Sequence, residues 1–182
     1  LGNAYQSMKE TIEQLNDQRV EEVVEVLLEA PIIYVYGIGA SHLVAEDIAQ
    51  KWNRIGKPTI CASDPHILIS ILVAAPKEAV FIGISNSGET KEVLKLVEVA
   101  KSQGIKSIGL TQFGTNPVAS KVDYSIQTVR SNEAELRSAA TSSLHTQFIA
   151  VDVIFYTYAS KQYDQNIAMI HDSKAEIKKY MR

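Results

Sequence analysis

The strongest constraint on this chain is an alternation. Short apolar, β-branched runs recur along it, and each is followed by a longer stretch with helical periodicity. The first run is Ile32-Ile33-Tyr34-Val35-Tyr36, bounded by Pro31 and Gly37; the second is Thr59-Ile60-Cys61-Ala62. Residues 79–84 form the clearest central strand, 105–110 a fourth and 124–127 a fifth. Runs this apolar read as strands buried on both faces. Helical stretches lie between them: 41–55, one opening at Asp64-Pro65, and 91–103, closed by Gly104. Residues 8–29 read as two helices broken at Asn16-Asp17, and a long helix (139–163) and a last one (166–180) end the chain. Four or five strand–helix alternations imply a parallel sheet with helices on both faces. The expected fold class is α/β, a three-layer α-β-α sandwich.

Composition narrows the function. The 182 residues are 46% hydrophobic and 21% charged, which is globular. The length suits one domain plus a helical arm, divided as 1–30 and 31–182. Lys and Arg number 18 against 21 Asp and Glu, so the net charge is −3 and the positive field of a nucleic-acid binder is missing. One cysteine, Cys61, allows no internal disulfide and fits a reducing, cytoplasmic setting; on its strand it reads as packing. The longest apolar run, 67–75, is interrupted by Ser70 and falls short of the roughly 20 residues of a membrane span. No basic-then-apolar signal segment opens the chain. The chain begins with Leu1 rather than Met, as expected for a piece of a longer protein.

Open parallel sheets bind ligands beyond the carboxyl ends of their strands, so chemistry is sought there. After the first strand comes Gly37-Ile38-Gly39-Ala40-Ser41-His42. His42 stands where a dinucleotide fingerprint needs its third glycine. What is left is a flexible turn with a hydroxyl at a helix start, either a ligand loop or a plain turn with Ser41 as N-cap. After the third strand comes Ser85-Asn86-Ser87-Gly88-Glu89-Thr90. Three hydroxyls around a glycine at a helix amino end exceed what capping requires and form an anion cradle. A nucleotide P-loop would need GxxxxGK[ST], which the sequence lacks. Neither loop carries Lys or Arg, so a phosphate there would be held by dipoles and hydrogen bonds. Thr111-Gln112 follows the fourth strand. After the fifth, residues 130–138 are polar; Glu133 and Arg137 are spaced to pair across one helical turn, and Arg137 can instead meet an anionic ligand group.

Gly37-x-Gly39-x-Ser41 and Ser85-x-Ser87-Gly88-x-Thr90 together resemble the phosphosugar loops of the SIS (sugar isomerase) domain, over about residues 31–159. Within that group the segment Glu133…Arg137-Ser138, the run Thr141-Ser142-Ser143 and the apolar helix after it are most similar to the carboxyl-terminal domain of RpiR-type bacterial transcription regulators. The resemblance implies a flavodoxin-like five-stranded parallel sheet, a homodimer or homotetramer, and regulation by a sugar phosphate. It implies DNA contact only through an upstream helix-turn-helix domain, which this sequence does not include. Members of the group regulate N-acetylmuramic acid catabolism, which makes N-acetylmuramic acid 6-phosphate one candidate effector. By position, Ser41, Ser85, Ser87 and Thr90 would grip the phosphate, with Asn86 offering its backbone N–H. Glu133, Arg137 and Ser138 would meet the sugar. No cofactor and no metal are implied.

Two other classes compete. An isomerase needs a base beside the sugar carbonyl, for which Glu133 is the candidate, and often a ring-opening histidine. The histidines are His42, His66, His145 and His171, and no sequence motif joins one of them to an acid; binding without turnover is the expectation. A pure oligomerisation module is the third class. On the long helix Leu144, Phe148, Val151, Phe155 and Tyr158 form one apolar stripe, and Ile149, Val153 and Tyr156 a second. Such a helix either packs wholly in the core or shares a face with a partner subunit.

Overall fold

A computed structural model describes residues 2–130 and 138–181, apart from the side chains of residues 3, 138–141, 164 and 165. The elements are α1 (Gly2–Gln14), α2 (Asp17–Glu29), β1 (Ile33–Gly37), α3 (Ala40–Arg54), β2 (Thr59–Cys61), α4 (Pro65–Ala74), β3 (Val80–Ile84), α5 (Lys91–Ser102), β4 (Lys106–Gln112), α6 (Pro117–Lys121), β5 (Tyr124–Thr128), α7 (Ser138–Lys161) and α8 (Tyr163–Tyr180). All strand pairs are parallel, in the order β2-β1-β3-β4-β5. This is the doubly wound order of flavodoxin-like folds, so the expected three-layer α-β-α class is the one observed.

Each strand side chain goes to one of two cores, because successive residues point to opposite faces. Ile33 and Val35 of β1 and Val80, Ile82 and Ile84 of β3 pack with α2, α3 and α7. Tyr34, Tyr36 and Phe81 face the other way, onto Leu68 and Leu72 of α4 and Val93, Leu96 and Val97 of α5. Helix α2 belongs to the first core: Val23, Val24 and Leu27 are 1%, 0% and 0% exposed. Residues 17–29 thus pack into the core beside the sheet. Helix α1 is tied to the end of β5, where Val129 N–H donates to Thr11 Oγ1 at 3.2 Å.

Local signals placed the breaks. Asn16 accepts a hydrogen bond from Arg19 N–H and starts α2; Asp64 caps α4 ahead of Pro65. Gly104 follows α5 at φ +72°, the left-handed conformation that commonly ends helices. Helix α6 has no counterpart in the sequence reading, since five residues are too few to show a period. On α7 the first stripe packs as expected, with Val151 and Tyr158 2% exposed, whereas Tyr156 of the second stripe is 67% exposed. Among the described residues no helix is long and apolar enough to cross a membrane.

Cys61 is half-buried on β2. Desolvation, with a further push from Glu46, raises its thiol above the usual range. A raised pKa means less thiolate at a given pH. Iodoacetamide at pH 8 is thus expected to alkylate Cys61 more slowly in the folded protein than in urea; equal rates would refute the assignment.

Candidate anion-binding site

Strand register brings the two loops together. Gly37, the last residue of β1, is the partner of Ile84, the last residue of β3. The chain leaves both strands at the same level of the sheet and turns into α3 and α5. Ser85 N–H still donates to Leu110 O of β4 at 3.0 Å, so the second loop starts with its root fixed to the sheet.

The hydroxyls of that second loop divide into two roles. Ser85 is 2% exposed. Its Oγ lies 2.7 Å from Thr90 Oγ1 and accepts from Gly88 N–H at 3.0 Å and Thr90 N–H at 3.4 Å. Ser85 therefore shapes the loop from inside and engages Thr90 in doing so. Ser87 is exposed, and its Oγ accepts from Glu89 N–H at 3.1 Å. A hydroxyl can accept that bond and still donate its own hydrogen outward. Gly88 adopts φ +71°, which the tight turn requires.

The helix starts differ in a way that matters for anions. α2, α4 and α6 are each closed by a capping side chain, from Asn16, Asp64 and Asn116. α3 and α5 are not, and neither is the remote α8. At α5 the N-cap is Thr90, yet its hydroxyl turns to Ser85 rather than to its own helix. A helix amino end without a side-chain cap needs another partner for its N–H groups, and carries partial positive charge.

In the first loop the structure departs from the N-cap alternative. The N-cap of α3 is Gly39, at φ +60°, and Ser41 sits one residue inside the helix, so Ser41 is not the cap. Its Oγ instead meets the side-chain amide of Gln147 on α7, with Oε1 at 3.5 Å and Nε2 at 3.4 Å. A Cβ on Gly37 would come within 2.5 Å of Ser41 O, so only glycine lets the turn close. His42 Nε2 lies 2.9 Å from Glu46 Oε1 on the outside of α3. Deeper in, Tyr36 has its phenol pushed above the usual range by burial, then by the carboxylates of Glu92 and Asp64.

Three further residues join the site that sequence alone did not single out. Gln147 is 2% exposed on α7, a helix with several other polar residues, so nothing in the sequence set it apart. Asn116 and Thr111, 7% and 1% exposed, stand behind Gly88; Asn116-Pro117 repeats the cap-and-proline pattern of Asp64-Pro65. Of the expected sugar contacts, Glu133 and Arg137 lie outside the described residues. Ser138 opens α7, with its side chain also outside them. Among the described residues no cluster of His, Cys, Asp and Glu is arranged to hold a metal ion.

A doubly wound parallel sheet with two uncapped helix starts at adjacent strand ends marks an α/β domain with a candidate small-anion site at the carboxyl edge of the sheet. The chain belongs to the SIS domain family, whose profile matches residues 26–157. It is 39% identical over 176 residues to YbbH of Bacillus subtilis, an uncharacterized HTH-type transcriptional regulator, covering 97% of this chain and 62% of that protein. The chain thus spans less than two thirds of that relative. In fold it is similar to Vibrio vulnificus NanR complexed with ManNAc-6P (TM-score 0.87, 24% identity, 97% of this chain, 66% of that one). It is similar also to the sugar isomerase domain of an RpiR transcription factor from Sphaerobacter thermophilus (TM-score 0.84, 19% identity, 96% and 95% covered).

Proposed function

We propose that this chain is the phosphosugar-sensing effector domain of a bacterial transcriptional regulator, binding its effector without converting it. The observation that carries the proposal is the uncapped start of α5 beside the inward-turned Ser85–Thr90 pair. That arrangement leaves main-chain N–H groups and the Ser87 hydroxyl for a phosphate. The regulator relative and the ManNAc-6P complex of NanR support the same reading. The phosphate sits on the Asn86 and Ser87 amides, the Ser87 hydroxyl and the first amides of α5. Ser41 extends the site toward Gln147, and Glu133, Arg137 and Ser138 meet the sugar. N-acetylmuramic acid 6-phosphate and N-acetylmannosamine 6-phosphate are the candidate effectors. The domain assembles as a homo-oligomer, and DNA is contacted by a separate helix-turn-helix domain.

The test is a thermal-shift screen with sugar phosphates and their unphosphorylated counterparts, with each mixture analysed for product. A ligand that binds the native state raises the melting temperature by mass action. Stabilisation by phosphorylated sugars alone, recovered unchanged, supports the proposal. Conversion of the sugar would establish the alternative, a phosphosugar isomerase with Glu133 as base and the His42–Glu46 pair close to the first loop. No stabilisation by any sugar phosphate would reject both.

The two serines should respond differently. Ser87→Ala is expected to weaken phosphosugar binding by about 1–2 kcal/mol, the scale of a hydrogen bond to a charged group, with melting temperature unchanged. Ser85→Ala removes the partner of the Thr90 amide and hydroxyl, while Gly88 N–H keeps the Ser85 carbonyl, and is expected to lower both affinity and stability. Calorimetry and thermal melts of the two variants distinguish these outcomes; an unaltered affinity in Ser87→Ala would count against the site.

A further inference from the structure

We infer that Asn116 is a positioning residue for the anion cradle, acting from behind it through Gly88. The inference rests on the phosphosugar reading above and adds the element that holds the loop in its binding shape. Asn116 is 7% exposed and its side chain is used at both ends. Oδ1 accepts from Ala119 N–H at 2.8 Å, and Nδ2 donates to Thr111 Oγ1 at 3.0 Å. Between these bonds the side chain fills the space beside the Gly88 Cα. A Cβ there would lie 2.0 Å from Oδ1 and 2.1 Å from Cγ. The end of β4 and the start of α6 each grip the cradle backbone. Val118 N–H donates to Gly88 O at 2.9 Å, and Gln112 N–H donates to Asn86 O at 2.9 Å. With these two carbonyls of the loop held from this side, the peptide units that join Asn86 to Ser87 and Gly88 to Glu89 are fixed in orientation. Preorganised amides of this kind bind anions with little ordering cost.

Capping alone does not need asparagine, because Asn, Asp and Ser are nearly equivalent N-caps. This equivalence provides the test. Asn116→Ser keeps a cap but withdraws from Gly88 and loses the bond to Thr111. Asn116→Asp keeps the cap and the outline of the side chain but replaces the Nδ2 donor to Thr111 with a carboxylate oxygen behind the cradle. Binding of N-acetylmannosamine 6-phosphate by calorimetry, and of inorganic phosphate by phosphorus NMR, is measured on the wild type and both variants beside their melting temperatures. The expected order of affinity is Asn, then Ser, then Asp. The Asp variant should fall by at least about tenfold through like-charge repulsion, with each affinity measured below that variant's own melting temperature. Equal affinities in the three proteins would overturn the inference and leave Asn116 a helix cap only. If Asn116→Asp does not fold, a loss of affinity in folded Asn116→Ser supports the inference and an unchanged affinity overturns it. If the wild type binds neither probe, the phosphosugar reading falls and this inference with it.

Discussion

Gly88→Ala is expected to abolish phosphosugar binding at concentrations that saturate the wild type, in a domain that still folds. Two costs coincide at this residue. Its φ of +71° is a left-handed conformation that costs an L side chain about 1–2 kcal/mol. The added methyl also has nowhere to go, since Asn116 Oδ1 lies 2.0 Å from its position. Either the loop or Asn116 must move, and both movements disturb the amides that face the anion. Gly104 supplies the control. It has φ +72°, but its Cβ position is open, with nothing within 4 Å. It also lies at the far end of α5, a 12-residue helix about 18 Å long. Gly104→Ala should therefore show a comparable backbone strain with normal binding. Calorimetry and thermal melts of the two variants decide the matter. Wild-type affinity in Gly88→Ala would mean that the loop after β3 is not the phosphate site.

Trp52→Ala is expected to destabilise the domain by about 3–5 kcal/mol, the range for removing a large aromatic side chain from a core. Trp52 is 2% exposed on α3 and meets Phe155 and Tyr158 of α7 edge to face, with centroids 5.1 and 5.8 Å away. It is the main aromatic link between the two helices that carry Ser41 and Gln147. Its indole N–H has no hydrogen-bond partner among the described residues. Trp52→Phe gives up that buried donor and keeps much of the ring volume, so it should cost far less than alanine. Urea titrations followed by circular dichroism measure both. Equal losses in the two variants would overturn the assignment of this stability to retained ring volume.

Much of the architecture follows from one-dimensional pattern because its causes are local. Buried strands must be apolar throughout, caps need Asn or Asp at one position, and proline fixes the first turn; the starts of α2 and α4 and the end of α5 were legible for these reasons. The anion loop after β3 was legible too, since three hydroxyls around a glycine exceed any capping need. Ser41 shows where such reading stops. Its sequence fits an N-cap, but the cap is Gly39, and the hydroxyl is drawn to Gln147, a residue 106 positions away. Helix α2 shows the same limit on a larger scale. Its valines are spaced for burial, and only the fold shows which strands and helices they pack with.

The amino-acid order by itself determined the layer structure, the parallel sheet and the candidate phosphate loop, because each depends on periodicity or on neighbours within one turn. Tertiary structure alone assigned the loop hydroxyls their roles, turning Ser85 and Thr90 toward each other and leaving Ser87 exposed. It also placed Asn116 behind Gly88 and Gln147 beside Ser41. These contacts join residues distant in the chain, and a side chain's hydrogen-bond partner is settled by which groups the fold brings within reach, not by which residues precede it.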